Sequence, residues 1–353
     1  MELIDSESTI LSSIESYFSN QYKNIRKNIA LCAYSILRTE KVNTAEIARQ
    51  MGEVNGLAFK ANDMRIYRFL KSKEFQIDDK MWRGYVNLFF SLLQENGVKK
   101  NSRIHVNIDF TSDRDDFLIL CASIYFKGQS IPIYFSMRNY PKRAGMHDQK
   151  KMEQAFFKAL KHILPNDYEY LIVADRGFGN ERVIRILEEL NFKYVLRLNE
   201  NLNIEGKNGK FNLKDLPKKN KKLHNIEVIS WSLKASIVKR VKNDEYWLLS
   251  TNLAKKELDK AGGIYERRFS IEKMFKNSKS GGFDIENLLI EKYDRFKKLL
   301  FLSCIAYTIM IFTGLFIDEN EHPIKKTFSY ILPCFQHFHA NKKSISLLHI
   351  ENI

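Results

Sequence analysis

The stretch RIHVNID, residues 103–109, decides the fold. Its isoleucine and valine side chains alternate with more polar ones, which is the pattern of a strand that buries one face. The chain then shows two more strand-like runs, a helical run, a strand, a helix and a strand, at 117–126, 130–137, 149–164, 170–174, 181–190 and 193–198. The sheet is therefore predicted to begin with antiparallel strands and to continue through parallel crossovers.

This order of elements is typical of a ribonuclease H-like α/β core, which we assign to residues 101–320. A polar, lysine-rich stretch followed by an alternating run predicts a β-rich insertion at about 200–246. Residues 1–100 show helical spacing and almost no strand signal, so an all-helical N-terminal domain is expected. The helical hairpin described next makes this domain the predicted DNA-binding region. C-terminal helices follow the core, and residues 321–353 form a tail.

Part of the N-terminal domain resembles a helix-turn-helix. Asn43 and Glu46 form a helix start of the capping-box kind. Gly52 and Gly56 break the pattern before a second helix, Phe59–Leu70. That helix could enter the major groove of DNA with its cationic residues, Lys60, Arg65 and Arg68. Plain packing of a helical hairpin is the alternative.

The composition is typical of a folded protein that binds polyanions. There are 57 Lys and Arg residues against 42 Asp and Glu, which leaves a net charge of +15 and a pI near 9.4. Nucleic acid is the obvious partner, although lysine-rich codon usage in AT-rich genomes is an alternative source of the charge. The four cysteines lack paired spacing and the N-terminus lacks a signal peptide, so we expect a cytoplasmic protein.

One apolar run, Leu299–Phe316, is about as long as the shortest membrane-spanning helices. It contains serine, threonine and glycine residues, and the sequence has no second such run. A helix buried on all sides by a large domain has the same pattern. We expect the buried helix and no membrane partner.

Two aspartates lie at the predicted carboxyl ends of neighbouring core strands, Asp109 after the first and Asp175 after the fourth. Carboxylate oxygens there can converge, and they suit Mg²⁺ or Mn²⁺. Two such ions about 4 Å apart support phosphoryl transfer. Alternatively, each aspartate is a turn or cap residue, and other carboxylates compete for the role of the first one, namely Asp113, Asp115 and Asp116.

Four further residues are spaced i, i+3, i+7 and i+14: Tyr265, Arg268, Glu272 and Lys279. On one helix they lie within roughly 60° of one another, so a single face would present a phenol, two cations and a carboxylate. Glu272 could complete a three-carboxylate site, while Arg268 and Lys279 suit phosphates. A solvated face with an ordinary ion pair between Arg268 and Glu272 is the alternative.

With these residues the chain resembles the DDE transposases of bacterial insertion sequences, specifically the insertion-sequence-4 family. The four residues of the preceding paragraph match that family's signature, Tyr-x2-Arg-x3-Glu-x6-Lys. The segments Asp109-x-Thr111 and 175–178 are similar to its other two motifs, in the same order. The resemblance covers roughly residues 100–316, and it departs from the family at Phe269, where many relatives have tryptophan.

The resemblance implies a metal-dependent enzyme that cuts at transposon ends and joins them to target DNA by cut-and-paste. It implies two ions, Mg²⁺ or Mn²⁺, held by Asp109, Asp175 and Glu272. Phosphate contacts would come from the remaining signature residues, Tyr265, Arg268 and Lys279. An aromatic residue of the insertion would stack on a flipped base, for which Trp231 and Trp247 are candidates, with a core role as the alternative for each.

The resemblance also implies double-stranded DNA partners, namely the terminal inverted repeats of the transposon and the target DNA. A homodimer is expected in the synaptic complex, because two ends must be paired. Two other functions remain open at this point. One is a domesticated DNA-binding descendant that no longer transposes, and the other is a ribonuclease H-like nuclease that cuts without joining.

Overall fold

The computed structural model describes most of the chain, namely residues 7–113, 116–139, 146–206, 209–215, 226–228, 235–242, 245–279 and 292–321 together with Phe283, Ile285 and Ile290. It is a mixed α/β protein with two compact units. One unit contains residues 1–98 and 276–353, and the other contains residues 99–275. This division differs from the expected 101–320 domain, because residues after 275 cluster with the N-terminal helices.

Helices make up the described N-terminal part of the first unit: α1 Glu7–Tyr17, α2 Lys23–Thr39, α3 Thr44–Asn55, α4 Phe59–Lys71 and α5 Asp79–Glu95. Asn43 caps α3 as predicted, since its side chain accepts hydrogen bonds from the backbone N–H groups of Ala45 and Glu46. Gly56 ends α3 with φ +70°, a left-handed conformation that glycine adopts without strain. Only three residues, 56–58, separate α3 from α4.

The second unit is built on a mixed sheet whose first five strands are β1 Arg103–Asp113, β2 Phe117–Phe126, β3 Gln129–Asn139, β4 Glu169–Ala174 and β5 Lys193–Arg197. They lie in the order β3-β2-β1-β4-β5. The first three pair antiparallel, and β4 and β5 continue in parallel, as the sequence pattern predicted. Ile104, Val106 and Ile108 are buried, but so is Asn107 on the other face of β1. Both faces of β1 are therefore covered here, which the alternation alone did not predict.

The residues expected to form an insertion are β-rich where the structure describes them. β6 Asn203–Gly206 and β7 Gly209–Asn212 form a separate two-stranded sheet. Three more strands extend the main sheet beyond β5 in the order β10-β9-β8, namely β8 Ile226–Val228, β9 Ala235–Lys242 and β10 Glu245–Thr251. Two of these three strands, β8 and β9, lie within the expected insertion, which thus adds two strands to the edge of the central sheet.

Helices α6 Met146–Ile163 and α7 Glu181–Glu189 connect the parallel strands. The helical run expected from Lys255 to Lys279 is broken into short pieces: a 3-10 helix Lys255–Lys260, α8 Ala261–Glu266, a 3-10 helix Arg267–Phe269 and α9 Ser270–Lys279. Because 3-10 turns wind more tightly than α-helical turns, the residues on either side of 267–269 do not share the single face that uniform periodicity predicted.

The last described helix, α10 Tyr293–Glu321, contains the apolar run. It is long and apolar enough to cross a membrane, but 89% of its apolar window is buried inside the protein, as in a core helix. Lys298 is completely buried in it, and its Nζ donates to the carbonyl oxygens of Leu70 and Ser72 at 3.1 and 3.0 Å and to Asp294 Oδ2 at 2.6 Å. The expected tail, 321–353, begins one residue too early, because Glu321 is the last residue of α10, and residues 322–353 lie outside the described residues.

Candidate active site

Asp109 and Asp175 lie side by side at the point where two parallel strands stop pairing. The last parallel pair of β1 and β4 is Ile108 with Ala174, and each aspartate is the next residue along the chain. Neighbouring strands run about 4.8 Å apart, so the two carboxylates share one edge of the sheet. Asp109 does not end its strand as predicted, because β1 continues in antiparallel pairing with β2 to Asp113.

The segment after Asp175 is held by its own backbone and by an aromatic contact. Asp175 Oδ1 accepts a hydrogen bond from the Gly177 N–H at 2.9 Å, and a Cβ on Gly177 would lie 3.1 Å from that oxygen. The buried Phe178 ring stacks on Phe110 with 5.4 Å between centroids, which joins this segment to β1. A Cβ on Gly179 would overlap the carbonyl oxygen of Arg197, so only glycine fits there.

Arg268 bridges two of the predicted metal ligands. Its Nη1 donates to Asp109 Oδ2 at 3.0 Å and its Nη2 donates to Glu272 Oε1 at 2.6 Å. The arginine side chain is only 7% exposed, whereas Glu272 is 53% exposed. A planar guanidinium is suited to such a bridge because its donors point in fixed directions. Two residues of the predicted signature, Arg268 and Glu272, are thus linked to Asp109 through this bridge.

The carboxylates act on one another electrostatically. The pKa of Asp109 is raised from 3.8 to about 6, mainly by burial of the carboxyl group and to a smaller extent by the charges of Asp175 and Glu272. The Arg268 charge and the hydrogen bond from the Phe110 N–H act in the opposite direction. Arg268 therefore offsets only part of the cost of holding negative charge here, and a further cation would lower that cost.

Tyr265 lies beneath Arg268 in the core, where it is completely buried. Trp247 contacts it edge-on with 5.1 Å between ring centroids and is itself 5% exposed, within a hydrophobic cluster of the sheet. Phe269 packs on both rings and stays 41% exposed, with the Arg268 guanidinium 5.0 Å from its centroid. The Trp247 indole thus occupies the position of a core residue, the alternative to its base-stacking role.

Two of the predicted site residues do not belong to the described part of the sheet unit. Lys279 is the last residue of α9 and belongs to the helical unit, while the other signature residues belong to the sheet unit. Trp231, the second candidate for base stacking, lies outside the described residues.

Residues 134–309 match the family model of the transposase DDE domain. The match supports the predicted resemblance to DDE transposases, and hence the prediction of an enzyme that processes nucleic acid. It includes Asp175 and Glu272 and begins after Asp109.

No curated protein matches the chain. Among solved structures, the cryo-EM structure of a piggyBac transposase synaptic complex with hairpin DNA is similar with a TM-score of 0.46 and 9% sequence identity. That similarity covers 95% of this chain and 78% of the other.

DDE transposase domains generally use divalent metals, and the carboxylates of the site fit such ions chemically. Asp109, Asp175 and Glu272 offer hard oxygen donors whose mutual repulsion a divalent cation would relieve. Among the described residues, however, no group of three or more His, Cys, Asp or Glu side chains is close enough to hold an ion. Arg268 occupies the space between two of the carboxylates, so metal binding requires it to release at least one of them.

Asn107 supports the site in a way that the sequence analysis missed. Its buried side-chain amide lies within hydrogen-bonding distance of Ser130 Oγ at 3.0 Å, Ser270 Oγ at 3.2 Å and the Arg267 carbonyl oxygen at 3.3 Å. It therefore ties β1 to the short 3-10 segment that carries Arg268. Asn107 lies two positions before Asp109, among the polar residues that alternate with the isoleucine and valine side chains, so its burial left no distinct signal in the sequence.

Proposed function

We propose that this protein is the DNA transposase of an insertion sequence of the insertion-sequence-4 family, with a ribonuclease H-like catalytic core. The observation that carries the proposal is the Arg268 bridge between Asp109 and Glu272, beside Asp175 on the adjacent strand. The strand order β3-β2-β1-β4-β5 and the DDE-domain match over 134–309 support it. The reaction would be cleavage at the transposon ends followed by strand transfer into target DNA.

In this reaction Asp109, Asp175 and Glu272 would hold two ions, Mg²⁺ or Mn²⁺. The ions would supply the charge that activates an attacking oxygen and stabilises a leaving one. Arg268 would exchange one carboxylate for a DNA phosphate, since its two donors suit either partner. The packing of Tyr265 beneath it keeps the guanidinium aimed at the carboxylates. Tyr265 and Lys279 complete the proposed phosphate contacts of the signature.

The proposed partners are double-stranded DNA at the terminal inverted repeats, target DNA, and a second copy of the chain in the synaptic complex. The net charge of +15 favours binding to a polyanion. The protein would act in the bacterial cytoplasm on the nucleoid. Trp231 and Trp247 stay candidates for base stacking, the latter only if its indole leaves the core.

The test is excision of a marked element flanked by the gene's own neighbouring DNA. We would compare the unaltered protein with Asp175→Asn, and use Asp167→Asn as a matched control because that aspartate is exposed and pairs with Lys100 on the surface. We expect excision and re-insertion with the unaltered protein and the control, and neither with Asp175→Asn. The reaction should also stop when divalent cations are chelated.

Two outcomes would replace the proposal. If no version excises but all bind the element's ends, the protein is a DNA-binding descendant that no longer transposes. If the unaltered protein cuts DNA without end specificity and without joining, the ribonuclease H-like nuclease is correct.

A further inference from the structure

Exposed apolar side chains concentrate on one short segment of the helical unit. Six large hydrophobic residues are exposed among those that the structure describes: Tyr22, Leu57, Phe59, Met64, Tyr67 and Phe269. Four of the six lie between residues 57 and 67, in the turn before α4 and on α4 itself. Scattered exposed hydrophobics need no explanation, but a contiguous group on one element indicates a binding surface.

The exposed side of α4 is a defined stripe, which we call the α4 face. It consists of Lys60, Met64, Tyr67, Arg68 and Lys71, all of which are exposed. At 100° per residue these five positions lie within an arc of about 100° along about 16 Å of helix. The buried residues of the same helix lie on the opposite arc: Asn62, Ile66, Phe69 and Leu70.

The α4 face combines aromatic and cationic groups. Lys71 Nζ donates to the Tyr67 hydroxyl at 2.7 Å and lies 4.6 Å from the centre of its ring. Arg295, from α10, places its guanidinium 5.1 Å from the same ring. Lys60 and Arg68 make no hydrogen bond or ion pair with the described residues. Asp63 is the acidic residue of α4 and is only partly exposed, so positive charge prevails on this surface.

Buried polar groups hold α4 at both ends. Before its first turn, the side chains of Asn55 and Asn62 bond to each other at 2.9 Å, and Asn62 Nδ2 also donates to the Leu57 carbonyl at 3.1 Å. A Cβ on Gly52 would come within 2.9 Å of that carbonyl oxygen, so α3 approaches the turn closely only because of this glycine. At the other end, the buried Lys298 binds the last carbonyl groups of the helix. A helix fixed in this way presents its exposed side chains in a constant geometry.

We propose that the α4 face reads a DNA duplex from the major groove, with Met64 and Tyr67 against base edges. Lys60, Arg68 and Arg295 would contact phosphates on either side. The groove admits one α-helix, and methionine and tyrosine can pack on thymine methyl groups. The three-residue turn between α3 and α4 is that of a helix-turn-helix, whose second helix lies in the groove. This inference rests on the proposed function for the identity of the DNA, the transposon end.

A second copy of the chain is a poorer occupant of this surface. In a two-fold symmetric contact the same patch meets itself, so the cations Lys60, Arg68 and Lys71 of one copy would face the same set of cations on the other. Like charges facing each other across an interface oppose association. DNA supplies the opposite charge along the whole length of the stripe.

The experiment measures binding of the full-length protein in EDTA by fluorescence anisotropy. One probe is a labelled duplex selected by the unaltered protein from a random pool, and the other is a duplex of shuffled sequence. The double variant Lys60→Gln/Arg68→Gln tests phosphate contacts, and Met64→Ala/Tyr67→Ala tests base contacts. Tyr67→Phe keeps the ring. Lys80→Gln, an exposed lysine on α5, is the matched control.

We expect the lysine and arginine double variant to lower the slope of log affinity against log salt by about 2, equally on both duplexes. Met64→Ala/Tyr67→Ala should reduce the preference for the selected duplex about tenfold or more and leave the shuffled duplex almost unchanged. Tyr67→Phe and Lys80→Gln should behave like the unaltered protein. Thermal melting checks that each variant is folded.

The proposal is overturned if no preferred duplex emerges from the pool, or if both double variants bind like the unaltered protein. It is also overturned if the same variants convert a dimer into a monomer without changing DNA binding, because the surface then belongs to a second copy. The excision assay separates this inference from the proposed function. If the α4-face variants excise as well as the unaltered protein, only the proposed surface is refuted. If binding depends on the α4 face but the unaltered protein does not excise, only the proposed transposase function is refuted.

Discussion

Replacing Asp109 by asparagine should stabilise the metal-free protein near neutral pH while abolishing DNA cleavage. The pKa of Asp109 is about 6 in the folded protein against an ordinary value of 3.8, mainly because the carboxyl group is buried and only 18% exposed. The folded state therefore holds the proton more tightly than the unfolded chain. The contribution of this proton to the free energy of unfolding is fully present below about pH 4 and is lost as the pH rises through 6.

The size of the effect follows from these two pKa values. The difference between a pKa of 3.8 and one of about 6 corresponds to about 3 kcal/mol. The native protein loses this amount of unfolding free energy when the pH rises above both values. Asparagine is neutral at every pH and can still accept a hydrogen bond from Arg268. The Asp109→Asn protein should thus be more stable by up to about 3 kcal/mol at about pH 8, and about equally stable at about pH 4.

Urea unfolding in EDTA, followed by circular dichroism at both pH values, measures the difference directly. Asp167→Asn, on the surface, should show no such pH-dependent gain. If Asp109→Asn is less stable than the native protein at the higher pH, the ion pair with Arg268 outweighs burial and our reasoning is wrong. We also expect millimolar Mg²⁺ to raise the melting temperature of the native protein. The melting temperature of Asp109→Asn should stay almost unchanged, because this variant lacks one of the proposed metal ligands.

Three further substitutions test other parts of the structure. Lys298→Met should lower the unfolding free energy by about 1–3 kcal/mol in chemical denaturation, because it leaves two carbonyl groups at the end of α4 without their donor. Gly179→Ala should cost about 1–3 kcal/mol through overlap with the Arg197 carbonyl, whereas Gly263→Ala, in open space, should be neutral or stabilising. Arg268→Lys keeps the charge but bridges one carboxylate, so excision should fall at least tenfold while a circular dichroism melt stays nearly unchanged.

The sheet and its two aspartates could be predicted because the decisive information is local. An alternating run followed by an acidic residue indicates both a strand and the edge where its side chain emerges. The pairing of Ile108 with Ala174 then places Asp109 and Asp175 side by side, as the predicted order of strands required. What alternation does not contain is the cover on the second face of β1, so the burial of Asn107 was missed.

The arrangement around Arg268 was less accessible from the sequence. Its contact with Asp109 joins residues 159 positions apart, and helical spacing alone indicates only which residues share a face. The 3-10 turn at 267–269 breaks that face, so Tyr265 is buried while Glu272 is exposed. The pairing of Arg268 with Glu272, in contrast, has ordinary i, i+4 spacing and was considered as an alternative from the outset.

The helical unit combines a segment that precedes the sheet unit in the chain with one that follows it, and this order affects folding during synthesis on the ribosome. α10 packs in the interior of the first helices, where Phe301 contacts Phe18 edge-on and Thr308 lies 2.7 Å from the Tyr85 hydroxyl. Those first helices emerge long before α10 does. At roughly 5–20 residues per second, they wait about 10–40 s for the partner that covers their apolar side. A nascent chain would expose that side throughout, and a shortened product lacking α10 would never bury it.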